Sequence, residues 1–212
     1  MYRGRPDLVK YFTNDELAQF FGVFEKKRMK CKSTIKYKKI VRDEAIYKIM
    51  YYCALRVTEV LSIRCEYYNP VQEQLYCSRL KNGISNTLSI VNKNILGALN
   101  RHIKVNKPQN YLFENFSGSQ LSRKTIYTEM QKYCEYAGLK NENKWHCHTL
   151  RHTRAVDLLD LGASIYDVKY WLGHVDITNT QIYLSFTSKQ QERLYQRIMN
   201  QEFKITDKFS YM

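Results

Sequence analysis

The sequence predicts a mainly α-helical domain that carries one small antiparallel sheet. Three observations predict it: apolar residues at helical spacing along most of the chain, cap signals at the ends of those patterns, and one interval of different texture around a Lys-Asn-Gly turn. Thr13-Asn14-Asp15-Glu16 has the spacing of a capping box and starts a helix through about residue 27. The basic stretch that follows reads as a loop running into a second helix at 37–54, apolar at Ile40, Val41, Ile46, Ile49 and Met50. A short helix over 58–63 comes next. Segments 73–79 and 87–91 read as strands joined through Lys81-Asn82-Gly83. Helical patterns return at 94–104, at 122–137 (closed by Gly138) and at 148–161 (closed by Gly162). Ser164 and Asp167 cap a further helix that ends near Leu172-Gly173, and 178–201 reads as helical in two pieces.

A chain of 212 residues, 44% of them hydrophobic, suits one globular domain with a real core. No apolar run approaches the roughly 20 residues of a membrane-spanning helix. The first seven residues lack the apolar segment of a secretory signal, which points to the cytoplasm or nucleoid. Six cysteines (Cys31, Cys53, Cys65, Cys77, Cys134, Cys147) form no Cys-x-x-Cys pair and read as reduced thiols. Thirty-four basic against twenty acidic residues leave a net charge of +14. Between Lys26 and Arg42 nine residues are basic and none is acidic. A polyanion is the partner such density suits, because cations gain affinity by releasing counterions from phosphates. Lys36, Lys38, Lys39 and Arg42 are the expected phosphate contacts, against the plainer reading of a solvated face.

The residues that could act on a phosphodiester come in a fixed order. Attack on phosphorus builds negative charge on the non-bridging oxygens, and guanidinium groups stabilise it through forked, permanently charged donors. Arg56 lies at a helix-to-helix junction, in Ala54-Leu55-Arg56-Val57-Thr58-Glu59. Lys81 sits at the hairpin tip. His148 and Arg151, three apart, share a helix face in His148-Thr149-Leu150-Arg151-His152. His174 follows Leu172-Gly173, and Tyr183 comes nine residues later. Each residue alone is ordinary: a surface arginine, a turn lysine, a structural histidine, one tyrosine among eighteen.

Taken together, the series resembles the tyrosine recombinase/integrase family, whose catalytic domain carries Arg, Lys, His-x-x-Arg, Leu-Gly-His and Tyr in this order. The resemblance runs from Phe12-Thr13-Asn14-Asp15-Glu16-Leu17 to Tyr183. It implies the tyrosine recombinase catalytic-domain fold and a 3′-phosphotyrosyl intermediate on Tyr183. It implies that Arg56 and Arg151 hold the non-bridging oxygens and that Lys81 protonates the leaving 5′ oxygen. His148 would be acid–base partner to the tyrosine and His174 a phosphate donor, with Glu59 orienting the Arg56 region. No metal or cofactor is implied. The partner implied is double-stranded DNA, bound by a homotetramer on two sites that is monomeric or dimeric when free, with room for an accessory DNA-binding protein. The expected layout is one catalytic domain over 1–212, with a tail from about 188 and no N-terminal clamping domain. Arg79-Leu80-Lys81-Asn82-Gly83 and Gly118-Ser119-Gln120-Leu121-Ser122-Arg123 are similar to the fimbrial phase-variation invertases; a shortened phage or mobile-element integrase, acting in its host cell, would read the same. The family usually has glycine where this chain has Ala54, and alanine enters positive φ only at a cost. Three other readings stay open: a metal hydrolase built on the His148/His152 pair, a non-catalytic DNA-binding protein, and a type IB topoisomerase.

Overall fold

The computed structural model describes residues 9–80 and 83–184. Lys81, and the expected tail from about 188, therefore lie outside the described residues.

Helix α1 (Asn14–Lys30) opens on the expected capping box: the Thr13 hydroxyl accepts from the Glu16 amide, and the Glu16 carboxylate accepts from the Thr13 amide. Such a cap is worth about 1 kcal/mol. Helix α2 (Thr34–Tyr52) starts three residues earlier than its apolar pattern, because Ser33 accepts from the Lys36 amide and caps it. Most of the basic stretch is thus helical, with only 31–33 as connection. Helix α3 (Val57–Leu61) follows directly, with Arg56 at its N-cap.

Strands β1 (Tyr68–Asn69), β2 (Gln74–Cys77) and β3 (Asn86–Ser89) form one antiparallel sheet in that order. Leu75 faces Leu88 and Cys77 faces Asn86, and Leu75, Cys77 and Leu88 turn inward. The sequence pattern missed β1, because two residues beside Pro70 are too few to show alternation.

Helices α4 (Lys93–Asn106), α5 (Arg123–Tyr136), α6 (Cys147–Asp160) and α7 (Ile165–Leu172) match the four later patterns within a residue or two, and α8 (Thr178–Gln181) is a single turn. Gly173 ends α7 at φ 68°, the left-handed region that glycine enters freely. No described helix is long and apolar enough to cross a membrane. The six cysteines are free thiols, four of them buried.

Two apolar clusters hold the elements. The larger is rich in aromatic rings (Phe12, Phe20, Phe24, Tyr47, Phe113, Tyr133) and joins α1, α2, α4 and α5. The smaller joins α6 and α7 through Ala155, Leu158, Leu159, Val168 and Leu172, and it includes the ring of Tyr183. The tyrosine of the motif is therefore placed by core packing, not by a surface loop.

Candidate active site

The site is organised around a buried carboxylate. Glu59 is 1% exposed and accepts from the Arg56 guanidinium at 2.7 Å and the Arg56 amide at 2.8 Å. It also accepts from the Leu80 amide at 3.2 Å, faces Arg79 at 3.5 Å and stands 4.0 Å from Arg151. Burial pushes the Glu59 carboxyl upward, but the donation from Arg56 and the charges of Arg79 and Arg151 outweigh it and leave the group below its usual range. It is ionised at neutral pH and partly offsets three guanidinium groups.

Ala54 has φ 50°. Alanine here takes the left-handed conformation that glycine enters freely, and the chain carries a strain of about 1 kcal/mol for it. The turn aims the Ala54 carbonyl at two guanidiniums, those of Arg151 and Arg79. Arg151 further donates to the Leu172 carbonyl at 3.0 Å and lies 2.8 Å from His174 Nε2. Burial lowers Arg151 to about 9, helped by Arg56 and Arg79, so it stays charged at neutral pH. His174 Nδ1 is 2.9 Å from the Thr180 hydroxyl, which ties the histidine to the turn before Tyr183. Burial and the three arginines push His174 down to about 3 and keep it neutral.

The sequence reading did not single out Arg79 for a role. Its side chain is fully buried and donates to the carbonyls of Cys53 and Trp171 and to Asn86 Oδ1. It thereby pins the ends of α2 and α7 to β3. This also explains the glycine of Leu172-Gly173-His174: a Cβ at Gly173 would stand 2.7 Å from Arg79 Cγ and from the Ile84 carbonyl oxygen. The Ile84 amide donates to the Gly173 carbonyl at 3.1 Å, so both flanks of Lys81 are fixed, Leu80 against Glu59 and Ile84 against the C-cap of α7. A buried arginine two residues before a turn lysine looks like any other arginine in a sequence, so no signal would have found it.

Tyr183 is 1% exposed. Burial raises its phenol to about 12, against the opposing pull of Arg151 and Arg56. The imidazole that touches its hydroxyl is His152, with Nδ1 at 2.8 Å, and not the expected His148. His148 stands further out, exposed, its ring 6.2 Å from that of His152; burial of its ring and the charges of Arg151 and Arg56 lower its pKa. Among the described residues no three His, Cys, Asp or Glu side chains gather to hold a metal ion, so the His148/His152 pair has no third ligand there.

The expected phosphate contacts divide. Lys36 is exposed and Lys38 half-exposed in the first turns of α2. Lys39 is half-buried between Asp43 and Glu129. Arg42 corrects the expectation: it is 4% exposed, paired with Asp43 at 2.9 Å and donating to the Glu114 carbonyl. Helical periodicity turns it inward, where a buried carboxylate already neutralises it.

A helical domain whose arginines, histidine and tyrosine converge around a buried glutamate is the architecture of a tyrosine recombinase catalytic domain. The phage integrase family model matches residues 10–190, and the chain belongs to that family. It is 29% identical over 164 residues to tyrosine recombinase XerD of Lacticaseibacillus casei, covering 74% of this chain and 55% of the relative. It is 31% identical over 163 residues to XerD of Staphylococcus epidermidis, covering 73% and 53%. The chain thus spans about half the length of the curated relatives it matches. The fold is shared with the XerA recombinase, at TM-score 0.72 and 20% identity over 91% of this chain and 65% of that one. It is also shared with XerH recombinase bound to a palindromic difH substrate, at TM-score 0.71 and 22% identity over 89% of this chain and 53% of that one.

Proposed function

We propose that this chain is the catalytic part of a site-specific recombinase that breaks and rejoins double-stranded DNA through a phosphotyrosine. The observation that carries this reading is the convergence of Arg56, Arg151 and His174 within reach of one phosphate, while Tyr183 hangs from the same hydrogen-bonded chain through Thr180. The Tyr183 oxygen attacks phosphorus, the P–O5′ bond breaks, and the 5′ oxygen leaves as a hydroxyl with a proton from Lys81. Neutral His148 at the rim takes the phenol proton; its lowered pKa keeps it in the accepting form at neutral pH. Arg56 and Arg151 carry the charge on the non-bridging oxygens; His174, whose Nε2 accepts from Arg151 without DNA, donates to one of them after a tautomer shift that moves its proton to Nε2. Strand exchange joins two sites and four copies of the chain, and the pairing of sites decides between inversion, integration and excision.

Lys36 and Lys38 contact backbone phosphates remote from the scissile one. Both lie in the first turns of α2, and the rest of that helix, to Tyr52, separates them from the Arg56 segment, about 21–24 Å of helix, or roughly six to seven base pairs of duplex.

The test uses nicked site DNA, on which a covalent adduct is trapped. Wild type forms an adduct whose phosphate maps to Tyr183 by peptide mass spectrometry, in the presence of excess EDTA. Tyr183→Phe binds the same DNA and forms none. An adduct on another tyrosine, or loss of cleavage on chelation, overturns the mechanism. A wild type that binds a verified site without any adduct leaves the non-catalytic DNA-binding reading in its place.

A further inference from the structure

The proposed chemistry uses His148, Arg151 and His174 and leaves His152 without a task, yet His152 is the residue that holds the nucleophile. Its Nδ1 lies 2.8 Å from the Tyr183 hydroxyl, and the two rings pack with centroids 5.7 Å apart. We propose that His152 stores Tyr183 in the DNA-free protein: it accepts the hydroxyl's hydrogen, keeps the nucleophile folded beneath α6, and yields it when a phosphate occupies the arginines. This rests on Tyr183 being the nucleophile.

Burial is the first reason. The Tyr183 ring sits among Ala155, Leu158, Leu159 and Val168, and at 1% exposure its oxygen cannot meet a phosphate that arrives from solvent. The tyrosine must come out for in-line attack, so the described position is a resting one. A hydroxyl buried without a partner is costly, and His152 is the partner that makes the resting position tenable.

The chemistry of the imidazole suits holding more than deprotonating. Burial, then His148 and Arg151, lower His152 to about 4, so at neutral pH its ring is neutral and can accept on Nδ1. A group that weakly basic and half-buried is a poor final acceptor for the phenol proton, which in the proposed mechanism passes to exposed His148 at the rim. His152 is therefore a positioning residue.

The architecture supplies the release. His152 adjoins Arg151 on α6, so the store and the phosphate clamp share one rigid turn. Arg151 touches His174, His174 touches Thr180, and Thr180 lies in the single turn α8 just before Tyr183. A phosphate that takes donors from Arg151 and His174 disturbs the same chain that seats the tyrosine.

The test is made without DNA, by nitrating the intact protein with tetranitromethane and mapping the modified tyrosines by peptide mass spectrometry. His152→Leu removes the acceptor. His152→Asn keeps one, since its Oδ1 falls close to the position of Nδ1. Tyr47, fully buried with its hydroxyl 2.8 Å from the Ile126 carbonyl, reports on the fold at large. Tyr183 is expected to react about tenfold faster in His152→Leu than in wild type, the factor that corresponds to one ordinary hydrogen bond. In His152→Asn it reacts near the wild-type rate, and Tyr47 stays protected in all three proteins. Equal rates in wild type and His152→Leu overturn the proposal, as does a His152→Asn rate as fast as that of His152→Leu. Nitration of Tyr47 together with Tyr183 overturns it too, because the contact would then merely support the fold. The adduct assay on nicked DNA decides separately whether Tyr183 is the nucleophile, so the two readings can fail independently.

Discussion

Replacing Glu59 by glutamine tests whether one buried charge holds the site together. Glutamine keeps the shape and an acceptor for Arg56 but removes the negative charge that faces Arg56 at 2.7 Å, Arg79 at 3.5 Å and Arg151 at 4.0 Å. The side chains of Arg79 and Arg151 are 0% and 4% exposed, so water cannot replace the lost partner, whereas Arg56 at 28% is partly rehydrated. Removing one side of a buried ion pair costs about 3–5 kcal/mol. For a domain of this size each kcal/mol lowers Tm by about 2–4 °C, so Glu59→Gln should melt roughly 6–20 °C below wild type at pH 7. The sign of the pH dependence follows from the depressed carboxyl. Its contribution is fully present above the ordinary value of 4.5 and is lost as pH falls through the lower value in the folded protein. The melting temperatures of wild type and Glu59→Gln, read by circular dichroism, should therefore begin to converge as pH falls below 4.5 and meet only below the lowered folded-state value. A gap under about 2 °C at pH 7, or a gap that persists in acid, would refute the electrostatic account and leave Glu59 as a helix cap alone.

Two further substitutions probe the frame and the DNA face. Ala54→Gly relieves about 1 kcal/mol of left-handed strain but loses a buried methyl and gains unfolded-state entropy, so denaturant unfolding should place it within about 1 kcal/mol of wild type. Ala54→Val puts a branched side chain at φ 50° in a fully buried position and should cost about 2–4 kcal/mol. Lys36→Ala with Lys38→Ala should weaken binding to all DNA sequences about equally and lower the salt slope by about two, read from binding isotherms at several ionic strengths. An unchanged slope assigns both lysines to a solvated face.

The helices were legible because their signals are local. Thr13 and Ser164 each close a capping box with the residue three further on, and both boxes are present in the structure. The order of the motif residues was legible as well, since a series of residue types at family spacing needs no three-dimensional information. What escaped was set by long-range contact. Asp43 is a local partner of Lys39 and Arg42, but nothing local says that it is buried or that remote Glu129 and the Glu114 carbonyl complete the pairing. The tyrosine's partner escaped for a subtler reason: His148 and His152 lie one turn apart on the same helix, so both are near the site, and only the packing of Tyr183 chooses between them.

That choice bears on how catalysis and stability are divided in this chain. Arg79 does not face the phosphate site, yet it fixes the carbonyls of Cys53 and Trp171, and with them the start of the Arg56 segment and the approach to His174. Gly173 is glycine because Arg79 occupies the space a side chain would need. Arg151 is held by the Ala54 and Leu172 carbonyls before any phosphate arrives. The groups proposed to meet the phosphate are thus oriented by backbone carbonyls that a buried arginine and a strained alanine put in place. Such preorganisation lowers the reorganisation needed when charge develops on the phosphate oxygens. In the proposed mechanism the group that moves furthest is the tyrosine, whose ring lies in a small cluster and whose hydroxyl hangs on a single imidazole.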